Sequence, residues 1–175
     1  GENVYYKTTH RWTRAVSNTN FHSNSWVWSL GFKDSKHKNK SRDSILVVPH
    51  NSTPDDITLI VWFHGCGGFS QRTFSKRIIP QIRSIVEKRY SVAVAIPEMP
   101  WSSNTTTRCK RQGQVWQKSG DLERYVADLK ERLKMWALLV YKRPLGTVRL
   151  VFVGHSAGGS ALSSAAVEGG LCRLQ

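Results

Sequence analysis

The chain has 175 residues, of which 39% are hydrophobic, with seven Trp and a formal net charge of +14. That content suffices for one buried core and argues against a disordered polyelectrolyte, and no apolar run approaches the roughly 18–20 residues of a membrane span. The excess of Lys and Arg suits an anionic partner, but the basic residues are dispersed apart from one dense run at 33–42, which reads as a solvated loop ahead of a nucleic-acid interface.

Residues 1–25 are polar and irregular, with Tyr5, Tyr6, Trp12 and Phe21 as candidate anchors, and no fold is assigned to them. The chain opens on Gly-Glu-Asn with no apolar leader, as a processed secreted chain would also do. Two strands, 25–32 (alternating Trp26, Trp28, Leu30) and 44–49, flank the basic run and are expected to pair antiparallel. Residues 1–43 thus form an N-terminal segment with a first strand region, and 44–175 form the main domain.

Residues 57–63 are apolar almost throughout and end at His64-Gly-Cys-Gly-Gly68, the pattern of a strand buried on both faces. Over 70–89 the period changes to that of a helix, with Phe74, Ile78, Ile82 and Ile85/Val86 on one stripe and Arg and Lys opposite. Pro80 within it is expected to kink or shorten the helix. A second buried strand covers 90–96, and a long polar loop follows over 97–118. Loops of that length in compact domains usually carry function, so Trp101 and Trp116 are candidates to border a substrate cleft. A second helix opens at Ser119-Gly-Asp-Leu with the stripe Leu122, Val126, Leu129, Leu133, Trp136/Ala137 and ends before Pro144. A last strand, 147–153, runs into Gly154-His-Ser-Ala-Gly-Gly159 and then a small-residue helix, 160–167. The order implies an α/β fold, a mostly parallel sheet with helices on both faces.

Cys66, Cys109 and Cys172 fit no metal spacing. Cys66–Cys109 is the favoured pair, because both follow strand ends on one edge of the expected sheet. Three glycosylation sequons, at Asn39, Asn51 and Asn104, arise readily by chance. Together these lean toward an oxidising compartment, secreted or periplasmic.

Gly-x-Ser-x-Gly alone turns up in about one chain in twenty of this size. Its context is what gives it weight: an apolar strand precedes it and a helix follows, as a strained nucleophile elbow requires. Gly154 and Gly158 stand where the turn brings backbone close together, and Gly159 and Ala161 would let the helix pack tightly on the sheet. Ser156 is therefore the candidate nucleophile. Its tetrahedral oxyanion needs fixed donors. The N–H of Ala157 is one, and that of Gly65 or Cys66, in the glycine-rich loop after the earlier strand, is the other. A phosphate cradle is the rival reading of that loop, but no Gly-Lys-Ser/Thr is present.

With His64-Gly-Cys-Gly after the third strand, Ile96-Pro-Glu opening the loop after the fourth, Cys109 in that loop and Gly-His-Ser-Ala-Gly-Gly after the fifth, the chain resembles the α/β-hydrolase superfamily. Within it, the chain is similar to serine carboxylesterases of the secreted polyhydroxyalkanoate-depolymerase and feruloyl-esterase type, over about residues 44–168. The resemblance implies ester hydrolysis through an acyl-enzyme on Ser156, with no metal or organic cofactor. A serine peptidase or amidase would share every residue named, and an inactive relative would keep the fold as a binding or structural part.

One part of the pattern breaks. In that superfamily the serine is followed by Asp or Glu and then His. After Ser156 this sequence holds one acid, Glu168, and no histidine. His155 flanks the serine and His64 precedes the oxyanion loop, both as supporting residues; His10, His22, His37 and His50 read as surface or packing residues. The last strand would also be left as a bare apolar edge. The expectation is the N-terminal portion of a larger hydrolase, an α/β-hydrolase core truncated after the nucleophile helix. A second fragment or chain would complete the fold and supply the acid and the histidine.

Overall fold

The computed structural model describes residues 12–15, 25–30, 44–66, 70–97, 121–167 and 171–174. Four strands come first: β1 (Trp12–Ala15), β2 (Ser25–Leu30), β3 (Ser44–Pro49) and β4 (Asp56–Phe63). Then α1 (Ser70–Thr73), a π-helical turn (Phe74–Ile78) and α2 (Ile79–Glu87) follow without a break. β5 (Val92–Ile96) leads to α3 (Asp121–Trp136) with a second π-helical turn (Ala137–Tyr141), and β6 (Thr147–Gly154) leads to α4 (Ala157–Val167) and a 3-10 turn (Leu171–Arg173). The basic run, most of the 97–118 loop with Trp101 and Trp116, Cys109, Asn39 and Asn104 lie outside the described residues.

The strands form one sheet in the order β1-β2-β3-β5-β4-β6. β4 pairs parallel with both β5 and β6, whereas β1–β2, β2–β3 and β3–β5 are antiparallel. The fold is α/β as expected, but the sheet is mixed rather than mostly parallel. It is parallel where helical crossovers join the strands and antiparallel in the first half, where β3 runs against both neighbours. The expected β2–β3 pair forms in full register, from Ser25 opposite Pro49 to Leu30 opposite Ser44. β1, to which the sequence assigned no fold, adds one further strand.

Helices cover both faces. On one, Leu46, Leu59, Val61 and Phe63 pack against Leu122, Val126, Leu129, Leu133 and Trp136 of α3 and against Ala161 and Ala165 of α4. On the other, Val47, Val94 and Ile96 pack against Phe74, Ile78 and Ile82. The two-residue alternation of the strands sends successive side chains to the two helical layers, which is why β4 reads as continuously apolar. The α3 stripe is buried as its helical period predicts, joined by Tyr125, whose hydroxyl lies 2.7 Å from Ser44 Oγ.

Pro80 does not end the helical path, which runs from Ser70 to Glu87 with a π-helical turn just before the proline. A proline has no N–H for the carbonyl four residues back, and its ring crowds that carbonyl. Here the turn before it widens: the Ile79 N–H donates to Phe74 O, five residues back, in place of the usual four. The widened turn absorbs the ring, and the helical path runs on through Glu87.

The Asn51 side-chain amide donates to the Tyr90 carbonyl at 2.7 Å, so this sequon presents an engaged nitrogen. β6, at the sheet margin, is only partly covered, with Val151 44% exposed. Among the described residues no helix is long and apolar enough to cross a membrane.

Candidate active site

From β4 the chain moves to β5 on one side, then returns across the sheet to β6 on the other side of β4. Loops leaving the carboxyl ends of β4 and β6 therefore depart in opposite directions and open a crevice between them, the usual ligand position in open α/β sheets. His64-Gly-Cys66 leaves one of these ends and His155-Ser156 the other.

The two ends are bound together. β4 and β6 stay in register to Phe63 opposite Gly154, and the His155 N–H donates to Phe63 O at 3.1 Å. Ser156 then takes φ 55°, a left-handed backbone that an L-residue adopts at a cost. Gly158 N–H donates to His155 O and Gly159 N–H to Ser156 O, both at 2.9 Å, which turns the chain at once into α4.

The turn fits only because its flanks lack side chains. A Cβ on Gly154 would stand 2.7 Å from the Gly158 carbonyl oxygen, and one on Gly158 would overlap the carbonyl of Phe63. Gly159 differs from the sequence reading: a Cβ there would meet nothing within 4 Å, so close packing of α4 does not require this glycine.

Gly65 lies against the serine. A Cβ on it would come within 3.2 Å of both Ser156 Cβ and His155 Nδ1. Ala157 is the first residue of α4, where an N–H has no acceptor within its own helix. The glycine loop, the serine and the open helix amide thus converge at one point. His64 is buried, its Nδ1–H donating to the Gly65 carbonyl at 2.9 Å, so it braces the loop. Cys66 is disulfide-bonded, and the side chains of Cys109 and Cys172 lie outside the described ones.

The Ser156 side chain is exposed, and its hydroxyl makes no hydrogen bond among the described residues. Among those residues, no group of three or more His, Cys, Asp or Glu is placed to hold a metal ion. Beside the serine opens a cavity of about 580 Å³, bounded by Trp62, Gly65, Cys66 and His155 and by Arg72, Lys76 and Arg77. The sequence reading put these three cations on the helix's solvent face. The available signal was a glycine loop leading directly into a helix with basic residues in its first turns.

No protein-family model matches the chain, and neither does any curated protein or solved structure.

Proposed function

We propose that the protein is a serine hydrolase, with carboxylic esters as its substrates and Ser156 as its nucleophile. The observation that carries this reading is the left-handed backbone at Ser156, with Gly65 packed against its Cβ. Strain of this kind persists only where the surroundings enforce it, and it lifts the hydroxyl clear of the sheet.

In this reading, Ser156 Oγ attacks the ester carbonyl while its proton passes to an imidazole. The carbonyl oxygen becomes an oxyanion held by the Ala157 N–H and the N–H of Gly65 or Cys66. Collapse releases the alcohol, which takes the proton, and leaves an acyl-Ser156. Water activated by the same imidazole then cleaves the acyl-enzyme and restores the serine. The reading needs no metal or organic cofactor.

The imidazole and its orienting carboxylate are assigned to polypeptide beyond the groups described around Ser156. A second segment or chain seated along β6 would bring them, and the partly covered face of that strand supports this arrangement. The chain would then be the N-terminal portion of an α/β-hydrolase core. The disulfide at Cys66 supports an oxidising, secreted or periplasmic setting.

An unbonded Ser156 hydroxyl also favours a second reading, a hydrolase-like binding protein without turnover. Hydrolysis of 4-nitrophenyl butyrate by the chain together with the polypeptide that completes its fold separates the two. The esterase reading expects release of nitrophenol that disappears in Ser156→Ala. Equal rates in the two proteins would remove it. A matched anilide reports whether amides are also cleaved.

A further inference from the structure

The cavity beside Ser156 has a wall of uniform charge. Arg72, Lys76 and Arg77 all line it, and all three side chains are exposed. They sit within two turns of the α1–π segment, on the side opposite Phe74 and Ile78, which anchor that segment to the sheet. Arg72 and Lys76 are four residues apart, a spacing at which like charges on a helix repel.

Four other exposed cations are compensated within the fold, whereas Lys88, Arg89 and Lys142, among the described residues, are not. Arg83 pairs with Glu87, Lys134 with Glu131, Arg143 with Asp55 and Arg149 with Asp56. Arg72, Lys76 and Arg77 have no acidic partner among the described residues. Three uncompensated cations thus line a cleft of small-molecule size that adjoins the candidate nucleophile at Gly65 and His155.

We infer that this wall is an anion subsite, and that the substrate of Ser156 carries an oxyanionic group, a carboxylate or a phosphate, away from its scissile carbonyl. The inference rests on the hydrolase reading for the ester but not for the anion. Two guanidinium groups offer planar forks matched to carboxylate or phosphate oxygens, and Lys76 adds a point charge. The widened turn before Pro80 holds Lys76 and Arg77 on the cleft side while Phe74 and Ile78 stay buried. Loss of charge on this wall should therefore weaken anion capture and leave the fold intact.

The test, on the chain together with the polypeptide that completes its fold, compares two fluorophosphonates of equal length, one ending in a carboxylate and the other in a methyl amide. The carboxylate probe is expected to label about tenfold faster at low salt, a factor equivalent to about 1.4 kcal/mol. The ratio should fall toward one in the Arg72→Gln/Lys76→Gln/Arg77→Gln variant and as salt shortens the screening length. Arg83→Gln, on the same helical segment but paired with Glu87, should keep it. A ratio near one in the unaltered protein overturns the subsite.

If neither probe labels, the hydrolase reading has failed, and calorimetric titration with adipate and with inorganic phosphate decides the subsite alone. Binding of either that weakens about tenfold in the triple variant supports it, and the tighter of the two identifies the oxyanion. Equal affinity in both proteins overturns it. So does a charge-dependent affinity confined to a single-stranded oligonucleotide, which would make the wall a nucleic-acid contact.

Discussion

Gly158 rests so close to the backbone of Phe63 that a Cβ on it would overlap the Phe63 carbonyl oxygen. This contact locks the first turn of α4 onto the end of β4 and so fixes where Ser156 stands relative to Gly65. Backbone on both sides leaves no flexible atom to give way. Gly158→Ala should cost about 3 kcal/mol or more, read as a fall in the urea midpoint. Gly159→Ala, one residue on with open space before it, should instead stabilise by about 0.5–1 kcal/mol through helix propensity. Equal effects from the two substitutions would contradict the described turn.

The backbone at Ser156 makes a separate prediction. At φ 55° every residue with a Cβ bears a similar penalty, and glycine does not. Ser156→Gly should therefore be more stable than Ser156→Ala by about 1 kcal/mol. In a helix interior glycine would be the less stable of the two, so a Ser156→Ala protein at least as stable as Ser156→Gly would contradict the left-handed backbone.

Burial raises the pKa of Tyr125 above its ordinary value of about 10; the charge of Asp128 adds to the rise, and the hydrogen bond with Ser44 opposes it. The folded state thus favours the neutral phenol. Its contribution to stability is complete below pH about 10 and is lost as pH rises beyond that toward the folded-state value. Tyr125→Phe should lose about 1 kcal/mol near neutrality, from the missing hydrogen bond. Its stability should then decline less steeply than that of the unaltered protein above pH about 10. Denaturation midpoints from pH 7 to 11 check both parts.

With Cys66 in a disulfide, one of the three cysteines is left as a thiol. Thiol titration in denaturant should find one reactive group before reduction and three after it. Peptide mapping of the unreduced protein identifies the partner; the strand-end argument names Cys109, and a Cys66–Cys172 peptide would refute it.

Most of this architecture is visible as periodicity. α3 carries Leu122, Val126, Leu129, Leu133 and Trp136 every three or four positions and buries all five; β4 and β5 are apolar on both faces and lie inside the sheet. Ser156 is legible because a strand, two glycines and a helix start must coincide around it. The short, polar β1 was missed because four residues give no period to detect, and only pairing with β2 makes them a strand. The cations of the cleft were missed for a different reason. Helical spacing tells which residues face away from the core, but whether that direction is open solvent or a cavity depends on the order of β4, β5 and β6. The π-helical turn before Pro80 is likewise a compromise between a ring that cannot donate and an apolar stripe that continues past it.

The most direct measurement is intact-protein and peptide mass spectrometry after the chain, together with the polypeptide that completes its fold, is exposed to a neutral fluorophosphonate. A single adduct on Ser156, absent from Ser156→Ala proteins with an unchanged circular dichroism spectrum, is the predicted result. An unlabelled protein, or an adduct on any other residue that persists in Ser156→Ala, would contradict the assignment of this serine as the nucleophile.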